Sequence, residues 1–344
     1  MNISQTFQKT VYWMTPPIIW RLLRTFKNKS TYKKISEPES FENSLDLLES
    51  QGLRYFFDDN AVNAFCRMKR ELYLDNNIPT LKEPNLQMHL EELIKNGYTI
   101  IPDFLSKQAV LKVNEQFSSV LSQEINYMTE ALKDRKVRLT SKVDERWVDE
   151  IKVFHNLYDG VIRMWNIEKK SNEVAEIDAD ERILSICKAY LGGTVLPSKV
   201  YLDVKAFTQA SDSSLSLHGD SFAKICKVFI ALEDGDDQKS PFLYFKGSHK
   251  QHDFKLLKDF LEFCGLNKKY HDHFNNYNIL SMFKLAEQGN VGNIKPERIP
   301  LKAGDCIIVD TSGIHGATDL VEGRRVQLGM VYEQKGFGAT DTFS

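Results

Sequence analysis

The second half of the chain is written as short apolar runs, each ended by a turn. The runs are VYLDVKAF (200–207), ICKVFIAL (225–232), FLYF (242–245), CIIVD (306–310) and RVQLGMVY (325–332). Between them stand Asp234-Gly235-Asp236-Asp237, Lys246-Gly247-Ser248, Ala303-Gly304-Asp305 and Glu322-Gly323, stretches of residues that favour turns. Many short strands separated by turns predict an antiparallel sandwich, jelly roll or barrel. One stretch breaks the rhythm. Residues 251–300 carry helical LLKDFLEFCG and polar, aromatic KKYHDHFNNYNIL, an insertion of the length that lids and binding loops have.

The first half reads differently. Ser36 to about Pro84 is polar with helical spacing, seen in Phe41-Glu42-Asn43-Ser44-Leu45 and from Ala61 to Tyr73. A helix from Leu86 stops at Asn96-Gly97, YTIIP (98–102) makes a short strand, and Ser106 caps a long helix towards Leu132. Residues 137–175, with Trp147, Phe154, Tyr158 and Trp165, read as packed loops, and Asp178 to Leu191 as one helix closed by Gly192-Gly193. The expected organisation is an N-terminal arm and helical extension over 1–85, followed by a mainly β domain with flanking helices over 86–344.

Charge narrows the function. With 45 Lys+Arg against 47 Asp+Glu the formal net charge is -2, so no global basic field exists to hold a phosphate backbone, and nucleic acid is not the expected partner. The five cysteines are odd in number, widely spaced and without C-x-x-C, as expected of reduced thiols in a cytoplasmic protein. Pro16-Pro17, Arg21 and Arg24 break the N-terminal apolar run, which does not read as a signal peptide. Residues 9–29 mix Trp13, Ile18, Ile19, Trp20 and Phe26 with Lys9, Arg21, Arg24, Lys27 and Lys29. That composition suits either peripheral contact with a membrane surface or an arm docked on protein, its own or a second subunit's. The oligomeric state is not legible.

The chemistry concentrates in LSLHGDSF (215–222). On a strand, His218 and Asp220 would point the same way, with Gly219 as spacer. Such a pair is either locally hydrogen-bonded or two ligands awaiting a third. The third candidate is His315, delivered by GDCIIVDTSGIHGATDL to the turn after a strand. Two histidines and one carboxylate suit non-haem Fe(II), occupying one face of an octahedron and leaving three positions open. A chelating dicarboxylate would need a second anchor, and Arg325 offers a planar fork at the mouth of RVQLGMVY. Arg325 shares its face with Gln327 and Gly329, whereas Arg324 shares parity with Val326, Leu328 and Met330. The rival pair His271 and His273 lacks a strand context.

These pieces, in this order, resemble the phytanoyl-CoA dioxygenase family of Fe(II)/2-oxoglutarate oxygenases. The resemblance rests on NGYTIIPDFLS, AYLGG, HGD, FIALED, KGSHK, GDCIIVDTSGIHGA and RRVQLGMVY, and covers roughly residues 86–340. It implies a double-stranded β-helix (a cupin-like jelly roll), with His218, Asp220 and His315 as the catalytic iron ligands and Arg325 as the 2-oxoglutarate anchor. Lys205 is a further candidate for a co-substrate contact. The implied activity is hydroxylation of a small-molecule, lipid or saccharide substrate, consuming O2 and releasing succinate and CO2. The alternative is a non-catalytic jelly-roll metal-binding or scaffold protein. Lys268, Lys269, His271, His273 and Tyr277 are candidate substrate contacts.

Overall fold

The computed structural model describes residues 59–73, 78–133, 143–156, 160–192, 195, 199–207, 218–221, 223–250, 259 and 296–333. Residues 9–29, Cys264 and the five candidate substrate contacts in 268–277 lie outside that set, as does most of the insertion. The chain divides into two compact units, residues 1–76 with 250–264, and residues 77–249 with 265–344.

In the first unit, helix α1 (Asp59–Tyr73) buries Phe65, Cys66 and Met68, and its Lys69 Nζ pairs with Asp259 Oδ2 at 2.6 Å, both side chains fully buried.

The second unit is the jelly roll. Its helices are α2 (Pro84–Asn96), α3 (Lys107–Ala131), α4 (Asn172–Asp178) and α5 (Glu181–Leu191). Its strands are β1 (Tyr98–Ile101), β2 (Val143–Val148), β3 (Ile151–Asn156), β4 (Val161–Trp165), β5 (Lys199–Lys205), β6 (Ile225–Ala231), β7 (Phe242–Tyr244), β8 (Glu297–Ile299), β9 (Cys306–Asp310), β10 (His315–Ala317) and β11 (Arg325–Glu333). An eight-stranded sheet runs β1-β9-β6-β11-β5-β4-β3-β2, and a three-stranded one β10-β7-β8.

Strand alternation sorts the residues of the large sheet. One face packs Ile162, Met164, Val200, Leu202, Val204, Cys226, Val228, Ile230, Ile308, Val326, Leu328 and Met330 with Leu90, Leu93, Val113 and Ile186 of the helices in the main core. The opposite, inner face packs Ala231, Ile307 and Val309 against Phe242, Tyr244 and Ile299 of the small sheet. The starts of α3 and α4 follow side-chain caps: Ser106 Oγ accepts from Ala109 N, and Ser171 Oγ from Val174 N.

Three expectations need correcting. Within the stretch read as loops, 143–148, 151–156 and 161–165 are three antiparallel strands that extend the large sheet. The helix expected over 178–191 starts instead at Glu181, because Asp180 caps it by accepting from Arg182 N, and a separate short helix, α4, precedes it over Asn172–Asp178. His218 stands in an isolated bridge to His315 rather than in a longer strand.

Candidate active site

His218, Asp220 and His315 come together, each offering a ligand atom within 4.8 Å of the others. The backbone assembles them. His218 and His315 exchange both N–H···O bonds at 2.9 Å, and Asp220 N donates to Thr311 O at 2.7 Å. The turn between β9 and β10 therefore leads into one ligand, His315 at the start of β10, and holds the segment bearing the other two.

The side chains are set for a cation. His315 Nδ1 lies 3.0 Å from the Gly313 carbonyl, a bond that places the proton on Nδ1 and leaves the Nε2 lone pair for a ligand role. Burial pushes the His315 imidazole down to about 3, against the opposing pull of Asp220, so the ring is neutral at physiological pH. Its Nε2 lies 3.4 Å from Asp220 Oδ2, and His218 Nε2 lies 3.3 Å from Oδ1. Burial would raise the Asp220 carboxyl, but Lys227 and the two imidazoles overcome it and hold the group well below the usual carboxylate range. Lys227 Nζ approaches Oδ2 to 2.8 Å as an ion pair, yet outside hydrogen-bond angles, so this buried oxygen has no hydrogen-bond partner. A neutral imidazole facing a carboxylate oxygen, lone pair towards lone pair, is an arrangement that a divalent ion resolves. The donor set fits non-haem iron.

Along the inner face lies a second polar group. Arg163 Nε donates to Asp203 Oδ1 at 2.7 Å, and Arg325 Nη2 donates to Asp203 Oδ2 at 3.2 Å. Arg325 also donates from Nη1 to the Ser240 carbonyl, while its buried Nε–H has no acceptor. Burial would raise the Asp203 carboxyl, but the two guanidiniums keep it below the usual range. Lys205, 5% exposed, stands opposite Arg325 in the β5–β11 register. Gln327 stands opposite Asp203 in that register and is 6% exposed. Arg324 turns outward and pairs with Glu233.

Beside this group Trp165 and Tyr201 pack with ring centroids 4.4 Å apart. Gly329 makes room for them, since a Cβ there would fall 2.4 Å from the Tyr201 ring. His249, in KGSHK, is structural: its Nε2 contacts the Ile94 carbonyl at the end of α2 at 2.9 Å.

Sequence reasoning missed Lys227 and Arg163. The signal for Lys227 was available, because it is the one charged residue within ICKVFIAL and alternates with Cys226, Val228 and Ile230 of the core. Arg163 lay in the stretch read as loops.

A sequence model described as phytanoyl-CoA dioxygenase (PhyH) matches residues 93–322. No curated protein sequence matches the chain. Among solved structures, the epimerase SnoN of nogalamycin biosynthesis is 14% identical, with a TM-score of 0.43 over 73% of this chain and 81% of its own. HygX from Streptomyces hygroscopicus, solved with nickel and 2-oxoglutarate, is 15% identical, with a TM-score of 0.45 over 75% of this chain and 92% of its own. AviO1 from Streptomyces viridochromogenes is 16% identical, with a TM-score of 0.45 over 75% and 99%. With the family model spanning two-thirds of the sequence and the His–Asp–His set assembled on a jelly roll, the chain belongs to the phytanoyl-CoA dioxygenase family of iron- and 2-oxoglutarate-dependent oxygenases.

Proposed function

We propose that the protein hydroxylates a small organic substrate, consuming O2 and 2-oxoglutarate and releasing succinate and CO2. The carrying observation is the convergence of His218, Asp220 and His315 within 4.8 Å, with a buried Asp220 oxygen that lacks a hydrogen-bond partner. These three residues would hold Fe(II), which supplies O2 activation and the oxidative decarboxylation of the co-substrate.

The chain's own part is positioning. Arg325 receives the far carboxylate of 2-oxoglutarate, supported by the buried Nε–H without an acceptor and by the neighbouring Gln327 amide. Asp203 and the Ser240 carbonyl orient the Arg325 fork beforehand. The apolar contacts of Phe229, Phe242 and Ile307 wall the site against water. The substrate approaches along the inner face of β4 and β5, where Arg163, Trp165 and Tyr201 offer one cation and two rings. Residues 9–29 are proposed to bring the protein to a membrane if that substrate is lipid-like.

The test is succinate release by purified protein given Fe(II), 2-oxoglutarate and ascorbate, including uncoupled turnover without substrate. Succinate that depends on iron, and that is lost in Asp220→Ala, supports the reading. A well-folded protein with neither succinate formation nor iron-dependent 2-oxoglutarate binding overturns it in favour of a metal-binding scaffold.

A further inference from the structure

The turn that carries the ligands is itself held from behind by a buried carboxylate. Asp310 closes β9 and is fully buried. By strand parity its side chain lies with Cys306 and Ile308 on the core face, away from the ligands. There Tyr190 OH, on α5, donates to Asp310 Oδ2 at 2.6 Å, while Asp310 Oδ1 accepts from Ser312 N at 2.9 Å. The carboxylate therefore ties a helix to the first peptide of the turn. The Asp310 backbone is gripped as well: its carbonyl accepts from Tyr244 OH at 2.9 Å, and its N–H donates to the Gly97 carbonyl at 2.8 Å.

What hangs from this turn is the whole ligand set. Thr311 O accepts from Asp220 N, Gly313 O faces His315 Nδ1, and His315 exchanges two bonds with His218. A turn displaced by a few tenths of an ångström would move the Asp220 backbone and rotate the His315 ring together. Ligand orientation is the property that such outer contacts control in metal sites.

We propose that Tyr190 and Asp310 are positioning residues of the metal centre, acting through the 310–313 turn to set the orientation of Asp220 and His315. Neither touches the ion or the substrate. The proposal rests on the metal-centre reading above. It differs from a plain helix-to-sheet tether in what it predicts for the bound metal.

The experiment is cobalt(II) titration of the full chain, following the ligand-field absorption of the bound ion, on the parent, Tyr190→Phe, Asp310→Asn and a control, Ile186→Val. Ile186 is fully buried on the same helix and makes none of these bonds. Tyr190→Phe and Asp310→Asn are expected to weaken cobalt binding about 10–100-fold and to shift its absorption bands. Ile186→Val is expected to lower Tm while leaving affinity and spectrum at the parent's values. Parental affinity and spectrum in Tyr190→Phe overturn the proposal, as does a loss of affinity in Ile186→Val that follows Tm in the same way. If Asp310→Asn does not fold, Tyr190→Phe decides alone. A folded parent that binds no cobalt overturns the metal centre itself, a result distinct from a parent that binds while its variants are unchanged.

Discussion

The two ends of the inner face are built by opposite means. At the metal end, backbone hydrogen bonds fix His218, Asp220 and His315 through one turn and one β-bridge. At the anion end, Arg163, Asp203 and Arg325 fix one another through side-chain ion pairs. Backbone bonds cost little to keep and do not titrate. Buried ion pairs depend on every partner being present and charged. The first end is therefore fixed by the fold, whereas the second can be retuned one side chain at a time.

The comparison breaks first at the metal end. His315→Ala removes a ligand that nothing nearby replaces, and iron-dependent succinate release should fall below detection while the circular dichroism of the fold persists. If turnover survives, the backbone-held end is not the metal centre. Asp203→Asn should come next, because it leaves two partly buried guanidiniums around a neutral amide. Breaking such a pair costs about 3–5 kcal/mol, readable as a lower urea midpoint. The sign with pH follows from the lowered carboxyl. Asp203 contributes its full stability above the ordinary carboxylate value of about 4 and loses it as pH falls through its lower folded value. The parent should lose that stability in acid, and the asparagine variant should lack that part of the slope.

Arg325→Lys sharpens the contrast between the ends. A point charge cannot reproduce the fork, and a lost charged hydrogen bond of about 1.5–3 kcal/mol raises the KM for 2-oxoglutarate roughly 10–100-fold. Iron affinity should be unchanged. Gly329→Ala is smaller: its Cβ would collide with the Tyr201 ring, and overpacking of about 1–3 kcal/mol should appear as a lower Tm. Arg324→Ala is smallest, since its pair with Glu233 is exposed. Its effect should stay below about 1 kcal/mol, with the KM for 2-oxoglutarate unmoved.

The metal end was legible because its residues are few, chemically distinctive and set in a strand rhythm with an apolar core. Arg324 and Arg325 could be told apart because Val326, Leu328 and Met330 mark the core face beyond doubt. The strands of 143–165 were not legible, for a physical reason. Their inner face carries Lys152, Phe154, Arg163 and Trp165, all only partly buried, and their core face includes His155, fully buried and paired with Glu124. With charge and bulk on both faces, the alternation that announces a strand fades. The capping role of Asp180 was not legible for a related reason: it stands among Asp178, Glu181 and Arg182, so nothing in the charge pattern singles out the side chain that starts the helix.

The bridge between His218 and His315 has a thermodynamic consequence. Two residues far apart in sequence meet there by a single pair of hydrogen bonds, and any ion bound between their side chains closes the long chain loop that separates them. Unlike a covalent cross-link, which also constrains the unfolded chain, it acts only where the fold has already brought the ends together. Resistance to heat then becomes a readout of free metal: an ion at 100 times its Kd adds about 2.7 kcal/mol, and a chelator withdraws it without touching a covalent bond.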